Sequence, residues 1–355
     1  MLILVFCFAF QAIDAFVFDF GSGLYWNVEN GVLVIGGEGS MQSEVPWVDY
    51  KDSITGVTIK EDVTDISSEA FSNCPNLKNV QIESNVKVIG SGAFKNCPEL
   101  EEIRIPEQVS QISKGAFYGC TGLKSVTFEG ADNLSTVENS AFYNCSSLTK
   151  ISLPSTVRTL GDYAFCNCSS LTEINITESM YSIGMMAFRG CTSLTRFIDQ
   201  GSYEYYVKDG MLINKETDDG IGAYLEVCAA GLTGELTLPE SVYGISQFAF
   251  EASPGITKIN IPAKTEDIIS MAFLGLDQAE LVVDTENPKY SSYDGAIYDK
   301  DMTKLLFCAG GKNGSVTIPY GVKETCEYSC MKSGLTSISF PDSLTTIGDN
   351  KYFFK

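Results

Sequence analysis

The sequence predicts a mostly β solenoid built from coils of about 23 residues, with β-hairpin units inserted among them. Three observations carry that expectation. Ala-Phe dipeptides end at Phe71, Phe94, Phe117, Phe142, Phe165, Phe188, Phe250 and Phe273, at spacings of 23, 23, 25, 23, 23, 62 and 23 residues. Three residues after each of the first six stands a cysteine (Cys74, Cys97, Cys120, Cys145, Cys168, Cys191), and three further on a leucine (Leu77, Leu100, Leu123, Leu148, Leu171, Leu194). After the leucine, apolar residues alternate, as Val80 and Ile82, Ile103 and Ile105, Val126 and Phe128, Ile151 and Leu153, and Ile174 and Ile176. Such alternation marks a half-buried strand.

Pro106, Pro154, Pro239, Pro262, Pro319 and Pro341 fall directly after these strands, where a missing N–H donor halts the ladder and turns the chain. A second apolar pair follows, Val86 with Ile89 or Val157 with Leu160, before the next Ala-Phe. A unit this short cannot bury its own apolar face. Neighbours therefore stack on it, and residues in one slot form columns along the axis. At a strand separation of about 4.8 Å, around ten coils extend roughly 50 Å. Phe becomes an internal aromatic spine, Ala lets backbones approach, and Cys is a small apolar wall in a crowded turn. The six column cysteines are expected to be buried thiols, since their spacing is far from the roughly 2–4 residues of a zinc clamp. Cys166 beside Cys168, and Cys326 with Cys330, are better placed for a disulfide or a regulatory role, with no geometry to decide.

In chain order, residues 1–15 read as an export signal: Met1–Phe10 is an unbroken apolar run, followed by the small-residue neighbourhood Ala12–Ala15. Residues 16–56 form a β-hairpin cap, turning at Asn30-Gly31 and carrying both tryptophans, Trp26 and Trp47, to cover the open first coil. Coils fill 57–198. A hairpin island at 199–235 turns at Asp209-Gly210, and coils resume over 236–283. A second island at 284–315 turns at Asp294-Gly295. Each island runs through an apolar strand into Cys-Ala, at Cys228-Ala229 and Cys308-Ala309. Residues 316–355 hold the last coils, the final one incomplete, with Lys351-Tyr352 in the Ala-Phe slot. After the leader, no segment offers the roughly 20 apolar residues of a membrane-spanning helix.

Composition narrows the function. Against 45 acidic residues stand 24 Lys and Arg, and the formal net charge of −21 repels phosphate backbones, so nucleic acid is not an expected partner. The chain has no histidine, which excludes Ser-His-Asp and Cys-His catalysis and histidine-containing zinc sites. No catalytic nucleophile motif, cofactor loop or metal cluster is recognisable, so no enzyme activity, cofactor or metal is expected. Carboxylate pairs such as Asp218-Asp219 or Glu101-Glu102 leave a secreted glycosidase as the least favoured alternative.

The run Ala-Phe-x-Asn-Cys-x-x-Leu-x-x-Ile-x-Leu-Pro-x-x-Val-x-x-Leu-Gly, from Ala141 to Gly161, resembles the BspA-type leucine-rich repeat of surface proteins from mucosal bacteria and protozoan parasites. The resemblance extends from about Leu24 to the C-terminus, and Gly37-Glu38-Gly39-Ser40-Met41 through Pro46-Trp47 is similar to that family's N-terminal segment. It implies a leucine-rich-repeat solenoid, secreted or displayed at a cell surface, that binds host or extracellular-matrix proteins in adhesion without catalysis. A self-associating envelope scaffold is the alternative.

Alternation turns the residues flanking the first strand position outward, in two columns. The candidate protein-binding residues are Asn79, Glu102, Ser125, Lys150 and Glu173 in one column and Gln81, Arg104, Thr127, Ser152 and Asn175 in the other. An ordinary solvated sheet face has the same composition. Tyr203, Tyr205 and Tyr206 of the first island are alternative anchors. Glycosylation sequons occur at Asn133, Asn144, Asn167, Asn175 and Asn313, of which only some are expected to be accessible.

Overall fold

The computed structural model describes residues 18–19, 23–130, 132–215, 220, 222–251, 253–276, 278–309, 314–330, 333 and 335–348. The leader, Asp218-Asp219, Asn313 and Lys351-Tyr352 lie outside them. The chain divides into two units, Met1–Arg189 and Gly190–Lys355. A 3-10 segment spans Val48–Ser53.

In the first unit each coil contributes one strand to each of two parallel sets. The short strands Val63–Ile66, Val88–Ile89, Gln111–Ile112, Thr136–Val137, Thr159–Leu160 and Ser182–Ile183, with Gly39–Ser40, form a seven-stranded sheet in coil order. The other set comprises Gly56–Ile59, Asn79–Ile82, Glu102–Ile105, Ser125–Phe128, Lys150–Ile151 and Glu173–Ile176. Partners occupy one slot of successive coils: Glu102 faces Ser125, Ile103 faces Val126 and Arg104 faces Thr127. The prolines do more than stop strands. Each opens a turn in which its carbonyl accepts the N–H three residues on, as Val109 to Pro106 at 3.2 Å and Val157 to Pro154 at 3.1 Å.

The spine is continuous. Phe71, Phe94, Phe117, Phe142 and Phe165 are fully buried, and consecutive rings stack at 5.2–5.5 Å. Each Phe N–H donates to the Ala carbonyl of the next coil at 2.8 Å, as Phe94 to Ala116 and Phe117 to Ala141. Trp47 caps the stack with its ring 5.7 Å from Phe71, and its indole N–H donates to Ala70 O at 2.9 Å. That bond satisfies at the end of the column the carbonyl that a Phe N–H satisfies within it. Trp26, on the hairpin Leu24–Glu29 and Val32–Gly37, meets Trp47 edge-on at 6.0 Å. The hairpin turns through positive φ at Asn30 (50°) and Gly31 (79°), the backbone an Asn-Gly turn favours.

The cysteines are buried thiols with a second task. Cys97, Cys120, Cys145 and Cys168 each donate their S–H to a Phe carbonyl of the preceding coil, at 3.0–3.2 Å. The slot before each column Cys lies in the left-handed region, with φ of 57° at Asn73, 56° at Asn96, 73° at Gly119, 59° at Asn144 and 61° at Asn167. The Asn-or-Gly choice at this slot follows, because these residues tolerate that backbone best.

In the second unit, Tyr205–Lys208 pairs antiparallel with Met211–Asn214, which pairs antiparallel with Ala223–Cys228 before that strand joins Val242–Ile245 in parallel. Tyr290–Tyr293, Ala296–Asp299 and Lys304–Cys308 repeat the arrangement, ending in parallel on Glu324–Thr325. Each hairpin thus hands the chain back to a parallel coil. The turn residues Asp209, Gly210, Asp294 and Gly295 all have positive φ. Phe250 stacks on Phe273 at 5.6 Å, within a core that includes Leu225, Val242, Ile245 and Ile259.

Candidate protein-binding face

The outward columns of the first unit rest on the parallel register, which sets equivalent side chains in rows. Asn79, Gln81, Glu102, Arg104, Ser125, Thr127, Lys150 and Ser152 are exposed, and Glu173 is half-buried. The exception is Asn175, which is buried. Its amide accepts from Leu153 N and donates to Leu153 O, both at 2.8 Å. The strand Lys150–Ile151 is only two residues long, so Leu153 has left the ladder, and the Asn175 amide satisfies both of its backbone groups. A primary amide presents the same donor and acceptor as a peptide, so alternation alone does not reveal this use.

A depression of about 290 Å³ opens on this face, lined among others by Val32, Gly56, Thr58, Asn79, Val80, Gln81, Glu102 and Arg104. It exists because Gly56 occupies the column slot that Asn79 and Glu102 fill in later coils. Four of the residues read from sequence therefore converge on its wall and floor. Around it, charges pair between coils: Arg104 with Glu129 at 3.3 Å, Lys124 with Glu101 at 2.8 Å and Lys150 with Glu173 at 3.1 Å. The first two pairs are exposed, Glu173 of the third is half-buried, and surface pairs of this kind add little to stability. The hydrogen bond from Lys124 holds the Glu101 carboxyl below its ordinary range. Glu101 is thus engaged by a lysine rather than paired with Glu102 as an acid and base.

A second depression, of about 450 Å³, lies along the turns and is lined by Asn73, Pro75, Asn96, Pro98, Tyr118, Thr121 and Asn144 among others. The Tyr118 and Tyr143 rings stack at 4.6 Å, Lys95 Nζ sits 5.7 Å from the Tyr118 centroid, and Asn96 Nδ2 donates to Asn73 Oδ1 at 2.9 Å. Sequence reasoning missed this groove. Its signal was the pair of tyrosines in one slot of adjacent coils beside the Asn-or-Gly column.

The island tyrosines separate. Tyr203 is 78% exposed and Tyr206 half-buried with its hydroxyl 2.7 Å from Ser241 Oγ, but Tyr205 is buried in the hairpin and cannot serve as an exposed anchor. Of the sequons, Asn133 is exposed, Asn144 and Asn167 are half-buried at positive φ, and Asn175 is closed by its own hydrogen bonds. Among the described residues no group of three or more Cys, Asp or Glu could hold a metal ion, and no helix is long and apolar enough to cross a membrane.

Comparison with known proteins agrees with this architecture. The profile of the BspA type leucine-rich repeat region, six copies long, matches residues 49–133, 127–209 and 230–313. No curated protein sequence matches the chain. Among solved structures, a leucine-rich cell surface protein of Faecalibacterium prausnitzii is similar, with 20% identity, 96% of each chain covered and a TM-score of 0.58. A leucine-rich repeat protein of Eubacterium ventriosum is 18% identical over 96% of this chain and 95% of its own, with a TM-score of 0.55. The pneumococcal vaccine antigen PcpA is 17% identical over 95% of this chain and 89% of its own, with a TM-score of 0.50. These likenesses are likenesses of fold. With more than half of its length matched by that profile, the chain belongs to the BspA-type leucine-rich repeat family.

Proposed function

We propose that this protein is displayed outside the cell and binds a host or extracellular-matrix protein through the outward strand columns of its first unit, without catalysing a reaction. The observation that carries this reading is the depression ringed by Thr58, Asn79, Gln81, Glu102 and Arg104, on a face whose side chains are in register and free of the packing that occupies the interior. Partly apolar, hydrogen-bonding surface of this kind suits a protein partner better than a small molecule, since the site is shallow and spread over several coils. The naming of one structural neighbour as a cell surface protein and another as a vaccine antigen is consistent with display.

The test is solid-phase binding of the purified chain to a panel of matrix and plasma proteins. A specific partner is expected, with Gln81→Ala combined with Arg104→Ala weakening it about tenfold. Lys87→Ala, exposed beside the other strand set, leaves binding unchanged. No binding together with concentration-dependent sedimentation would favour the self-associating scaffold, and carboxylate-dependent turnover of a polysaccharide would replace the reading altogether.

A further inference from the structure

The second hairpin unit departs from the column pattern at one slot, and the departure brings two thiols together. In the first hairpin unit the Cys228 N–H donates to Ala249 O at 2.7 Å, and the residue after that acceptor is Phe250. In the second unit the Cys308 N–H donates to Ser329 O at 2.7 Å, and the residue after that acceptor is Cys330. The slots coincide, since Phe248 and Tyr328 just before them share the left-handed backbone, at φ 64° and 61°. Cys308 and Cys330 are thiols 5% and 2% exposed and lie in one buried cluster with Tyr298 and Leu305, where the Cys308 S–H donates to Ala309 O at 3.4 Å and the Ser329 hydroxyl donates to the Cys330 sulfur at 4.0 Å. In the first unit Cys97, Cys120, Cys145 and Cys168 donate instead to the Phe carbonyl of the preceding coil. Cys326, paired with Cys330 in the sequence reading, instead places its backbone N–H on Leu305 O at 2.8 Å.

We propose that Cys308 and Cys330 form an intrachain disulfide when the chain folds in an oxidising medium, cross-linking the second hairpin unit to the coil that follows it. With a low-molecular-weight disulfide such as oxidised glutathione as the oxidant, the Cys330 thiolate attacks one glutathione sulfur and releases one glutathione thiolate. The Cys308 thiolate then attacks the protein sulfur of the mixed disulfide and releases the second. The two protons lost by the protein go to the two released thiolates, and the two electrons lost by the cysteines reduce the oxidant. The bridge closes a loop of about 22 residues and replaces, covalently, the aromatic packing that Phe supplies at this slot elsewhere. Nothing in this step depends on what the outward face binds.

The full chain, reduced and denatured, is refolded in a buffer of reduced and oxidised glutathione, alkylated in denaturant and digested without reduction for mass spectrometry. The expected product is a peptide pair joined through Cys308 and Cys330, with the column cysteines alkylated. Oxidation is expected to raise the thermal midpoint of the wild type, and Cys330→Phe, which restores the aromatic slot, is expected to abolish that redox response while keeping the fold. Alkylation of both residues in the folded, oxidised protein would overturn the proposal. So would a cross-link of Cys330 to Cys326, or a redox-dependent midpoint that survives Cys330→Phe.

Discussion

In the first unit a tryptophan and six phenylalanines stack in turn from Trp47 to Phe188, whereas in the second unit Phe250 and Phe273 stack and the next ring, Phe307, meets Phe273 edge-on at 75°. The difference follows from the hairpins. An uninterrupted 23-residue period lets each buried group find its partner in the same slot of the next coil, so Phe N–H meets Ala carbonyl and Cys S–H meets Phe carbonyl repeatedly. A hairpin shifts the phase, and other residues must complete the packing. At Cys330 a thiol takes the Phe slot, and the buried Tyr298 hydroxyl has no hydrogen-bond partner among the described residues. Regularity is thus a way of satisfying polar groups as well as of filling space.

The largest effect expected from breaking this contrast is at the spine. Phe117→Ala removes a fully buried ring stacked on both faces and should cost about 4–5 kcal/mol in urea unfolding. Phe273→Ala should cost about 3 kcal/mol, the lower end of that range, since its ring is stacked on one face only. Equal costs would show that stacking adds nothing to burial.

Alkaline pH comes next. Burial pushes the Cys120 thiol up to about 12 from its ordinary 9.0 and also raises Cys145 well above that ordinary value. A group whose pKa is raised on folding contributes stability that is intact below the unfolded value and lost as pH climbs towards the folded one. Stability should therefore fall from pH 9.0 towards 12, and Cys120→Ala should make that fall shallower in thermal melts taken across the range. At neutral pH the same variant should cost about 1–2 kcal/mol, and Cys120→Ser, which keeps a donor for Phe94 O, no more than that.

Gly119→Ala should destabilise by about 1–2 kcal/mol, because φ is 73° and the new Cβ would lie 2.5 Å from Asn96 Oδ1. Tyr298→Phe should be neutral or stabilising by up to about 1 kcal/mol, since it removes a buried hydroxyl that gains no partner. A clear loss in chemical denaturation would show that the hydroxyl is satisfied after all.

Most of the repeat was legible because its period is written in residue identities. Ala-Phe, Cys and Leu recur in phase, Pro follows the strands, and Asn-Gly or Asp-Gly marks the hairpins, so periodicity and turn chemistry sufficed for the coil and its inward columns. What stayed hidden depends on neighbours one coil away. Asn175 obeys strand alternation but is held inward by its hydrogen bonds to the backbone of Leu153, and Tyr205 is covered by its own hairpin. The thiol donors, the Tyr118–Tyr143 groove and the shared buried cluster of Cys308 and Cys330 arise where two slots are superposed, which no single segment encodes. Of the ten residues read as a binding face, nine lie at least partly in solvent, and four line one depression.

Hydrogen–deuterium exchange of the chain, free and bound to the matrix or plasma protein it retains, addresses recognition through the first unit's strand face most directly. Slowed exchange concentrated in Gly56–Ile59, Asn79–Ile82 and Glu102–Ile105 is the predicted result. Protection confined to the Tyr203 hairpin or the Tyr118 groove, with those three strands unchanged, would contradict it.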